Sequence, residues 1–390
     1  MNSETLPSTR AEALMRLAAF APRMGHNYAT GRNSDPGPGA RADVSLLSPA
    51  IRHRLLTEAE LVGTALHAHG PARAEKFIQE VFWRSYWKGH LELRPGLWTG
   101  YLAELARVQD ALRTQGGLRQ AVLRAEAGQT GIGCFDAWIS ELIETGWLHN
   151  HVRMWVASIW IFTLRLPWVL GADLFLRHLK DADAAANTLS WRWVGGLQTV
   201  GKHYVARAEN IARHTGGRFN PVGELDENPQ PLPPGPALPA RPLPPADALP
   251  EGPLALLLHE DDLHPESLLP ATTRPVALAG LLTRAGSPAA VAHAQAAVAD
   301  GLARASARFG LPGSMLDTAG LGPWIAAQRV PVVAPCAPVG WTGSALAPYR
   351  LTRLRRAWDS ACWPLAGRGF FPFKAEIPGL LRRLDPRPPE

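Results

Sequence analysis

The sequence predicts a mainly α-helical protein that ends in a small α/β domain. Before residue 220, apolar residues recur at helical spacing, and no stretch alternates with the period of a strand. Prolines then crowd the stretch from Pro221 to Pro253, and beyond it short apolar runs alternate with a long helical pattern. We therefore expect a helical domain at 1–220, an extended linker at 221–252 and the α/β domain at 253–390.

The helical domain begins with a predicted helix at 10–25, followed by a loop rich in glycine and proline. Ser48-Pro49 marks the next helix start, with the serine as cap and the proline in the first turn. Free amides at that start, with the hydroxyls of Ser45 and Ser48, have the chemistry to receive a diphosphate, although a plain capped helix accounts for the same residues. Further helices are predicted at 71–93, across 100–128 with a break at Gly116-Gly117, within 130–147 and after Trp168.

The last part of the chain has strands separated by helices, which is typical of a largely parallel sheet. Apolar runs predict strands at 254–258, 276–280 and 330–334, and Gly310 ends a long helix between the second and the third. The segments LTRLRRAW and AEIPGLLRRL are predicted to be helical. The basic run at 350–356 is interpreted as a solvated helix face, with a phosphate-binding face as the alternative. No glycine-rich phosphate-binding motif marks this domain.

Charge and cysteine content exclude several classes of protein. The 40 Lys and Arg outnumber the 34 Asp and Glu, and the net charge of +6 suits an anionic partner such as nucleic acid, although an arginine-rich composition alone gives the same excess. The three cysteines lie far apart without a C-x-x-C pair, which argues against a disulfide framework, a zinc site or an iron–sulfur cluster. The N-terminus lacks a secretory signal, and the apolar run from Trp155 to Leu164 is too short to span a bilayer. We expect a soluble, cytoplasmic, monomeric protein without a metal.

The stretch from Gly146 to Trp193 organises the helical domain. It holds six of the 14 tryptophans, and helical spacing places Asn150, Arg153 and Met154 on one face. Buried polar groups are costly unless each one finds a hydrogen-bonding partner. A planar ligand rich in hydrogen-bonding groups supplies such partners, and the surrounding indoles favour an aromatic one. We therefore interpret the stretch as a flavin pocket.

A second mixed face lies on the helix predicted at 71–93. Glu80, Trp83, Arg84 and Trp87 follow one another at i, i+3, i+4 and i+7, so that a carboxylate, two indoles and a guanidinium line one side. A surface ion pair between Glu80 and Arg84 beside core tryptophans is the simpler interpretation. The similar mixed face in the tryptophan-rich stretch favours a binding function instead.

These segments, in this order, resemble the helical flavin-binding half of the photolyase/cryptochrome family from about Tyr28 to Pro221. VSLLSP resembles the family's phosphate-gripping segment, and FIQEVFWRSYW resembles the helix that contacts the substrate. TGWLHNHVRMWVAS and DADAAANTLSWRW resemble the two segments that enclose the isoalloxazine ring. The resemblance implies an all-helical photolyase-type domain with FAD as its cofactor, bound in a bent form.

The resemblance also implies which residues hold the cofactor. Asn150 and Arg153 would border the ring, and Asp181 would pair with Arg153. Asp183 would lie near the pyrimidine edge of the flavin, and Asn187 would face N5, where a neutral amide tolerates the anionic reduced ring. The residues implied for the phosphate, ribose and aromatic wall of the site are Tyr28, Val44, Ser45, Leu46, Leu47, Ser48, Phe77 and Arg84.

For activity, the resemblance implies light-driven electron transfer from reduced FAD to a pyrimidine dimer in UV-damaged DNA, single-stranded or duplex, which splits the cyclobutane ring. The dimer must first be extruded from the DNA. Trp83 and Trp193 would pack on it, and Glu80 would hydrogen-bond its thymine carbonyl side. Asn150 and Met154 match residues typical of cyclobutane-dimer enzymes, whereas enzymes for the (6-4) photoproduct carry histidines at both places.

The chain departs from the family's pattern at two side chains. Trp191 and Trp168 match the inner and middle members of the tryptophan chain that reduces the flavin in light, but the region near Thr114 lacks the outermost member. His151 stands where the family has an arginine that meets DNA phosphate, so we expect a preference for single-stranded DNA. Candidate substitutes for the missing indole are Trp98, Trp147, Trp155 and Trp160.

The third departure concerns the domains. The flavin-binding half begins almost at Met1, so we expect that the family's N-terminal antenna domain is absent, as in the short photolyase-like proteins. The C-terminal α/β domain is either a displaced relic of that antenna domain or an unrelated module. Its segment LLLHEDDLHPESL faintly resembles the first strand of the antenna domain. No antenna chromophore site is evident in its residues.

Three functions are compatible with these observations. The first is antenna-independent repair of cyclobutane pyrimidine dimers, and the second is blue-light signalling of the cryptochrome type without repair. The third is a structural or flavin-storing protein whose polar face is a satisfied core. Signalling does not require Glu80, Trp83, Asn150 and Met154, so their joint presence favours repair.

Overall fold

The computed structural model describes residues 5–389, and the part of it before residue 220 contains helices and no strand. This confirms the helical prediction for residues 5–220. The helices are α1 (Arg10–Phe20), α2 (His26–Gly31), α3 (Ser48–Arg52), α4 (Glu58–Arg73), α5 (Glu75–Leu93), α6 (Gly96–Ala111), α7 (Gly116–Glu126), α8 (Gly133–Thr145), α9 (Asn150–Ser158), α10 (Trp168–His178), α11 (Ala184–Val194) and α12 (Ala208–His214).

Local signals explain where several of these helices begin and end. α1 starts at a capping box, in which the Thr9 side chain accepts from the Glu12 amide and the Glu12 carboxylate accepts from the Thr9 amide. The helix predicted from Pro71 begins instead at Glu75, because α4 runs on to Arg73 across a kink at Gly70, where φ is 70°. The break predicted at Gly116-Gly117 is the start of α7.

Beyond residue 220, a stretch without helix or strand at 221–253 leads into a five-stranded parallel sheet. The strand order is β3-β2-β1-β4-β5, which is the order of a doubly wound α/β sheet. The elements are β1 (Leu254–His259), β2 (Pro275–Leu281), α13 (Pro288–Phe309), β3 (Gly313–Leu316), α14 (Thr318–Ala326), β4 (Val332–Pro335), α15 (Trp341–Leu346), β5 (Thr352–Leu354), α16 (Ala357–Cys362), α17 (Phe370–Ala375) and α18 (Ile377–Leu384).

Two strands of this sheet escape the sequence analysis, and one helix prediction is wrong. β3 and β5 have four and three residues and are not fully buried, so no apolar run marks them. The segment LTRLRRAW contains β5, which pairs with β4, and helix begins only at Ala357. The basic run at 350–356 is therefore not a helix face, and Arg356 points its guanidinium at the buried Asp262.

The compact units of the chain do not follow chain order. Among the described residues, unit 1 comprises Thr30–Val44 and Pro95–Pro239. Unit 2 comprises Thr5–Ala29, Ser45–Arg94 and the chain from Ala240 onward. The predicted linker is thus divided between the units at Pro239, and helices α4 and α5 share a unit with the parallel sheet.

The core of unit 2 explains this grouping. β1 is buried on both faces, as expected for a central parallel strand: Leu254, Leu256 and Leu258 join one apolar cluster, and Ala255 and Leu257 join another. The first cluster continues without a break into the apolar residues of α1, α4 and α5. The sheet and these helices therefore share one hydrophobic core.

The C-terminal helices attach to α5 by aromatic contacts. The Trp358 ring of α16 stacks on Phe82 with 4.9 Å between centroids, and its indole N–H donates to the Ser85 hydroxyl at 2.8 Å. Phe373 of α17 also contacts the Phe82 ring. Burial of such large rings makes this contact a main source of stability for unit 2.

A buried ion network lies beyond the carboxyl end of β1. The Arg54 guanidinium, 3% exposed, donates to Glu58 at 3.2 Å, to Asp262 at 3.1 Å and to Asp359 at 2.6 Å. Arg356 adds two bonds to Asp262, at 2.5 and 2.6 Å. Burial alone would raise the pKa of Asp262, but the two guanidiniums hold it well below its usual range.

We expect Asp262→Asn to lower the free energy of unfolding by about 3–5 kcal/mol, because two buried guanidiniums lose their shared counter-charge. Since the folded pKa of Asp262 is lowered, this stability is present at neutral pH and is lost as pH falls through the carboxyl range. Urea titrations at several pH values measure both effects. Asp110→Asn, which removes the exposed partner of Arg113, serves as control, and equal losses in the two variants would contradict the role of the network.

Candidate functional site

The predicted site residues fall in both compact units. Those in unit 2 are Tyr28, Ser45, Leu46, Leu47, Ser48, Phe77, Glu80, Trp83 and Arg84. Those in unit 1 are Val44, Asn150, Arg153, Met154, Trp168, Asp181, Asp183, Asn187, Trp191 and Trp193.

The mixed face predicted on α5 is the accessible face of that helix. Glu80, Trp83, Arg84 and Trp87 are half-buried, whereas the residues between them are buried. The sequence spacing therefore identified the stripe correctly. A carboxyl group and an indole one turn apart on this stripe can together hold a flat, hydrogen-bonding ligand.

One face of the Trp83 indole is covered by a residue that the sequence analysis missed. Phe370, at the start of α17, stacks on Trp83 with 3.4 Å between centroids and 9° between planes. Trp87 approaches the same indole at 5.4 Å and 36°. The only sequence signal was the aromatic cluster GFFPF, which carries no spacing that points to α5.

The segment 44–48 contains a tight turn at Leu46. Leu46 has a left-handed backbone, with φ of 56°, and the side chains of Leu46 and Leu47 are buried. The Ser45 hydroxyl accepts from the Leu47 amide at 3.3 Å, and the Ser45 carbonyl accepts from Arg16 at 2.7 Å. Any polar contact that this segment makes with a ligand must therefore come from its backbone and its two serines.

The serine cap predicted for α3 is corrected by one residue. The helix starts where expected, but Ser48 is its first residue and Leu47 is the cap, without a side-chain cap bond. Nearby, Tyr28 meets Phe77 edge-to-face at 5.1 Å, so the structure brings these two predicted aromatic residues together. Phe77 is buried and Tyr28 is half-buried.

In unit 1, the polar residues predicted to border a planar ring are held by α9 and by the start of α11. Arg153 donates to the buried Asp181 at 2.8 Å and to the Leu148 carbonyl at 2.9 Å, which confirms the predicted pairing of Arg153 and Asp181. The Asp183 carboxylate accepts from the Ala186 amide and caps α11. On α9, Asn150 is exposed and Met154 is half-buried.

Asn187 is fixed by a single backbone contact. Its side-chain nitrogen donates to the Ala172 carbonyl of α10 at 2.9 Å, and the residue is 9% exposed. This bond assigns the amide nitrogen to α10 and leaves the amide oxygen as the group available to a ligand. α10 and α11 pack together at Gly171, where an added Cβ would lie 2.3 Å from the Trp191 ring.

Trp191 and Trp168, the two indoles predicted for the electron-transfer chain, contact different aromatic neighbours. Trp191 is buried and meets Trp160 edge-to-face at 6.4 Å. Trp168 meets Tyr101 at 5.7 Å, and Tyr101 stacks on Trp98 at 5.4 Å. Of the candidate substitutes for the missing indole, Trp160 thus lies beside the inner position and Trp98 lies one ring beyond the middle position.

The loop before Val44 is anchored by buried charges that the sequence analysis also missed. Arg41 donates to Asp35 at 2.7 Å and forms an ion pair with Glu141 of α8 at 2.7 Å, and Arg218 reaches Asp35 at 2.9 Å. Burial would raise the pKa of Asp35, but Arg41 lowers it, whereas burial raises the pKa of Glu141 to about 6. Within GRNSDPGPGARAD, these charges look like ordinary loop polarity.

The described residues contain neither a metal-binding cluster nor a helix that could span a membrane. Among residues 5–389, no three His, Cys, Asp or Glu side chains are grouped so that they could hold a metal ion. No helix in that range is both long enough and apolar enough to cross a membrane.

The residues of unit 1 fit the implied FAD. The isoalloxazine ring has carbonyl oxygens and ring nitrogens along one edge, and these require N–H donors and an amide. Arg153, Asn150 and Asn187 supply such groups, and Asp181 orients the Arg153 guanidinium. In unit 2, the backbone of 45–48 and its two serines are suited to a diphosphate.

Comparisons with known proteins agree with this fit. The FAD binding domain of DNA photolyase matches residues 77–225. A deoxyribodipyrimidine photo-lyase of Streptomyces griseus is 35% identical over 156 residues, which are 40% of this chain and 32% of that protein. Cryptochrome-2 of Arabidopsis thaliana is 38% identical over 97 residues, which are 25% of this chain and 16% of that protein.

Among solved structures, a bacterial class III photolyase from Agrobacterium tumefaciens is similar over 53% of this chain and 43% of its own, with 25% identity and a TM-score of 0.42. The chain spans between 32% and 42% of the length of four curated photo-lyases that it matches. Residues 77–225 of this chain are therefore similar to the FAD binding domain of DNA photolyase, and FAD is the cofactor of this domain.

We expect Asp181→Asn to weaken FAD binding by about 10- to 100-fold, because a charged hydrogen bond that orients Arg153 contributes about 1.5–3 kcal/mol. The measurement is a titration of the apoprotein with FAD, followed by the quenching of flavin fluorescence. Glu209→Gln, which changes an exposed carboxylate of the same unit, should leave the affinity unchanged. Unchanged affinity in Asp181→Asn would show that Arg153 is not oriented by this pair.

Proposed function

We propose that the protein repairs UV-damaged DNA by splitting cyclobutane pyrimidine dimers in the light, with FAD as the redox cofactor. The relatives named photo-lyase support this reaction class, and the relatives named cryptochrome support the same cofactor chemistry without repair. Bound FAD supplies light absorption and one-electron transfer. The residues of this chain bind and orient the substrate.

The accessible stripe of α5 is the observation that carries the repair proposal. It presents a carboxyl group, Glu80, and an indole, Trp83, one turn apart on an otherwise buried helix. A cyclobutane dimer has carbonyl oxygens to accept a hydrogen bond and a ring face to pack on an indole. Blue-light signalling has no need for such a pair on an accessible helix face.

Three further residues, together with Glu80, complete the proposed substrate chemistry. A protonated or proton-sharing Glu80 donates to a thymine carbonyl and stabilises the charge that develops there. Trp193, half-buried in unit 1, offers a second indole for the extruded dimer, and Asn150 and Met154 lie on the accessible part of α9. Extrusion costs only a few kcal/mol because the damaged step is already poorly stacked.

The preference for single-stranded DNA is supported by His151. Its Nδ1 bonds to the Asn33 carbonyl at 2.9 Å, and its Nε2 lies 3.3 Å from the Tyr204 hydroxyl. Both ring nitrogens therefore have partners within unit 1, so the imidazole has no donor left for a phosphate of a duplex. A duplex would lose one charged contact at this position.

Trp191 and Trp168 are proposed as members of the chain that delivers electrons to the flavin. The contact of Trp191 with Trp160 and the contacts of Trp168 with Tyr101 and of Tyr101 with Trp98 give each of these indoles an aromatic neighbour, all of them buried. The second candidate function is a cryptochrome-type photoreceptor, in which the same electron transfer produces a signal instead of repair. The relative from Arabidopsis thaliana favours keeping this alternative.

The repair proposal predicts that the reduced, FAD-loaded protein restores the 260 nm absorbance of dimer-containing oligothymidine under blue light and not in darkness. Glu80→Gln should lower the yield per photon about 10- to 100-fold without loss of FAD, because the variant keeps the shape and loses the acid. Glu144→Gln, an exposed change on α8, is the matched control. Absence of light-dependent restoration by the unchanged protein would favour the photoreceptor instead.

The stacking of Phe370 on Trp83 predicts that removal of the Phe370 ring strengthens dimer binding. Because its ring covers Trp83, a dimer that packs there must displace a ring pair worth about 0.5–1.5 kcal/mol. We therefore expect Phe370→Ala to bind the dimer about two- to tenfold more tightly in gel-shift titrations with damaged oligothymidine.

Phe371→Ala is the matched control for that variant, since the neighbouring ring is 82% exposed and should have no effect on dimer binding. Thermal melting of both variants verifies that they are folded. Weaker dimer binding by a folded Phe370→Ala protein would instead make Phe370 a support for the indole.

A further inference from the structure

Tyr204 joins Trp193 to a histidine within unit 1. Its ring stacks on the Trp193 indole with 5.6 Å between centroids and 25° between planes, and its backbone amide donates to the Val194 carbonyl at 3.1 Å. Its hydroxyl lies 3.3 Å from His151 Nε2. The loop between α11 and α12 thus places a phenol between an indole and an imidazole.

The hydrogen-bond partners determine which atom holds the proton. The Asn33 carbonyl can only accept, so His151 Nδ1, 2.9 Å away, must be the protonated nitrogen. In the neutral imidazole, Nε2 then carries the lone pair, and the Tyr204 hydroxyl is the donor to it. The phenolic proton of Tyr204 therefore points at a base.

The surroundings of His151 keep that base available. Burial lowers the pKa of His151, the Asn33 bond opposes this, and nearby cationic groups lower it further, so the imidazole is neutral at neutral pH. Its ring stacks on Trp155 at 4.5 Å, a face that also accommodates an imidazolium. The titratable or charged groups that face it are Arg32, His149, Arg213 and His214.

Tyr101 shows what the same side chain looks like without a base. It also stacks on an indole, Trp98, at 5.4 Å, but its buried hydroxyl has no hydrogen-bond partner among the described residues. Removal of an electron from Tyr101 would leave its proton without an acceptor. Removal of an electron from Tyr204 would leave its proton beside an acceptor, His151 Nε2.

We propose that Tyr204 and His151 together form a proton-coupled electron donor to Trp193. The proposal rests on the proposed light-driven function, in which oxidised FAD in its excited state takes an electron from an indole. It makes Trp193 such an electron donor, in addition to its proposed contact with the dimer. One electron passes from Tyr204 to the Trp193 radical cation, the Tyr204 O–H bond breaks, and its proton passes to His151 Nε2. The products are neutral Trp193, a neutral tyrosyl radical and the His151 imidazolium.

The test is flash photolysis of the FAD-loaded protein, with tryptophan and tyrosyl radicals followed by transient absorption and by electron paramagnetic resonance. The unchanged protein should form a tyrosyl radical as the tryptophan radical decays, more slowly in D2O than in H2O. The yield should fall as pH drops and protonates His151. Tyr204→Phe and His151→Phe should each lose the tyrosyl radical and the solvent isotope effect, whereas Tyr349→Phe, a change in unit 2 outside the proposed site, should keep both.

A second oxidant separates this proposal from the proposed function. If light produces no tryptophan radical in the loaded protein, the light-driven function fails, and a flash-generated ruthenium(III) polypyridyl complex then oxidises the indoles without the flavin. A tryptophan radical from either oxidant without a tyrosyl radical in the unchanged protein overturns the relay. Persistence of the tyrosyl radical in Tyr204→Phe would do the same.

Discussion

Two buried guanidiniums, one in each compact unit, constrain the loops that come before and after segment 44–48 in the sequence. Arg41 in unit 1 and Arg54 in unit 2 are each surrounded by carboxylates and almost completely removed from water. A buried charge is tolerated only when its partners are correctly placed, so each arginine specifies the geometry of its loop more than it adds to stability. The segment 44–48 lies between these two arginines in the sequence.

This arrangement gives a physical reason for the unusual backbone at Leu46. A left-handed conformation is unfavourable for a leucine and persists only where the surroundings determine it. Two features fix this conformation. The side chains of Leu46 and Leu47 are buried, and Arg16 donates to the Ser45 carbonyl. Within this segment the two serines, Ser45 and Ser48, stay half-buried while Leu46 and Leu47 are buried.

The sequence predicted those features that depend on periodicity. The stripe on α5, the helical first part, β1, β2 and β4 and the pairing of Arg153 with Asp181 all follow from spacing or from the resemblance. It could not predict β3 and β5, whose few residues bury too little apolar surface to form a pattern. Nor could it predict the contacts of Phe370 and Tyr204, since these join residues that are distant in sequence or separated by an irregular loop.

The same limit applies to the division of the chain. Composition places a boundary at the proline-rich stretch, because a segment without apolar periodicity forms no core of its own. The apolar cluster of unit 2 nevertheless joins helices before that stretch to the sheet after it. That the sheet is a displaced antenna domain stays a prediction. Comparison of its strand order, β3-β2-β1-β4-β5, with that of the family's antenna domain tests it.

The central claim is that the helical residues between 77 and 225 hold a flavin ring against the Asn187 amide. A crystal structure of the FAD-loaded protein measures this most directly, through the distance from the Asn187 side chain to flavin N5. For the reduced flavin, whose N5–H is a donor, the account predicts a hydrogen bond of about 3 Å to the Asn187 side-chain oxygen, with the Asn187 nitrogen still bonded to the Ala172 carbonyl. A ring bound beyond contact with Asn187, or a protein that stays colourless after reconstitution, would contradict it.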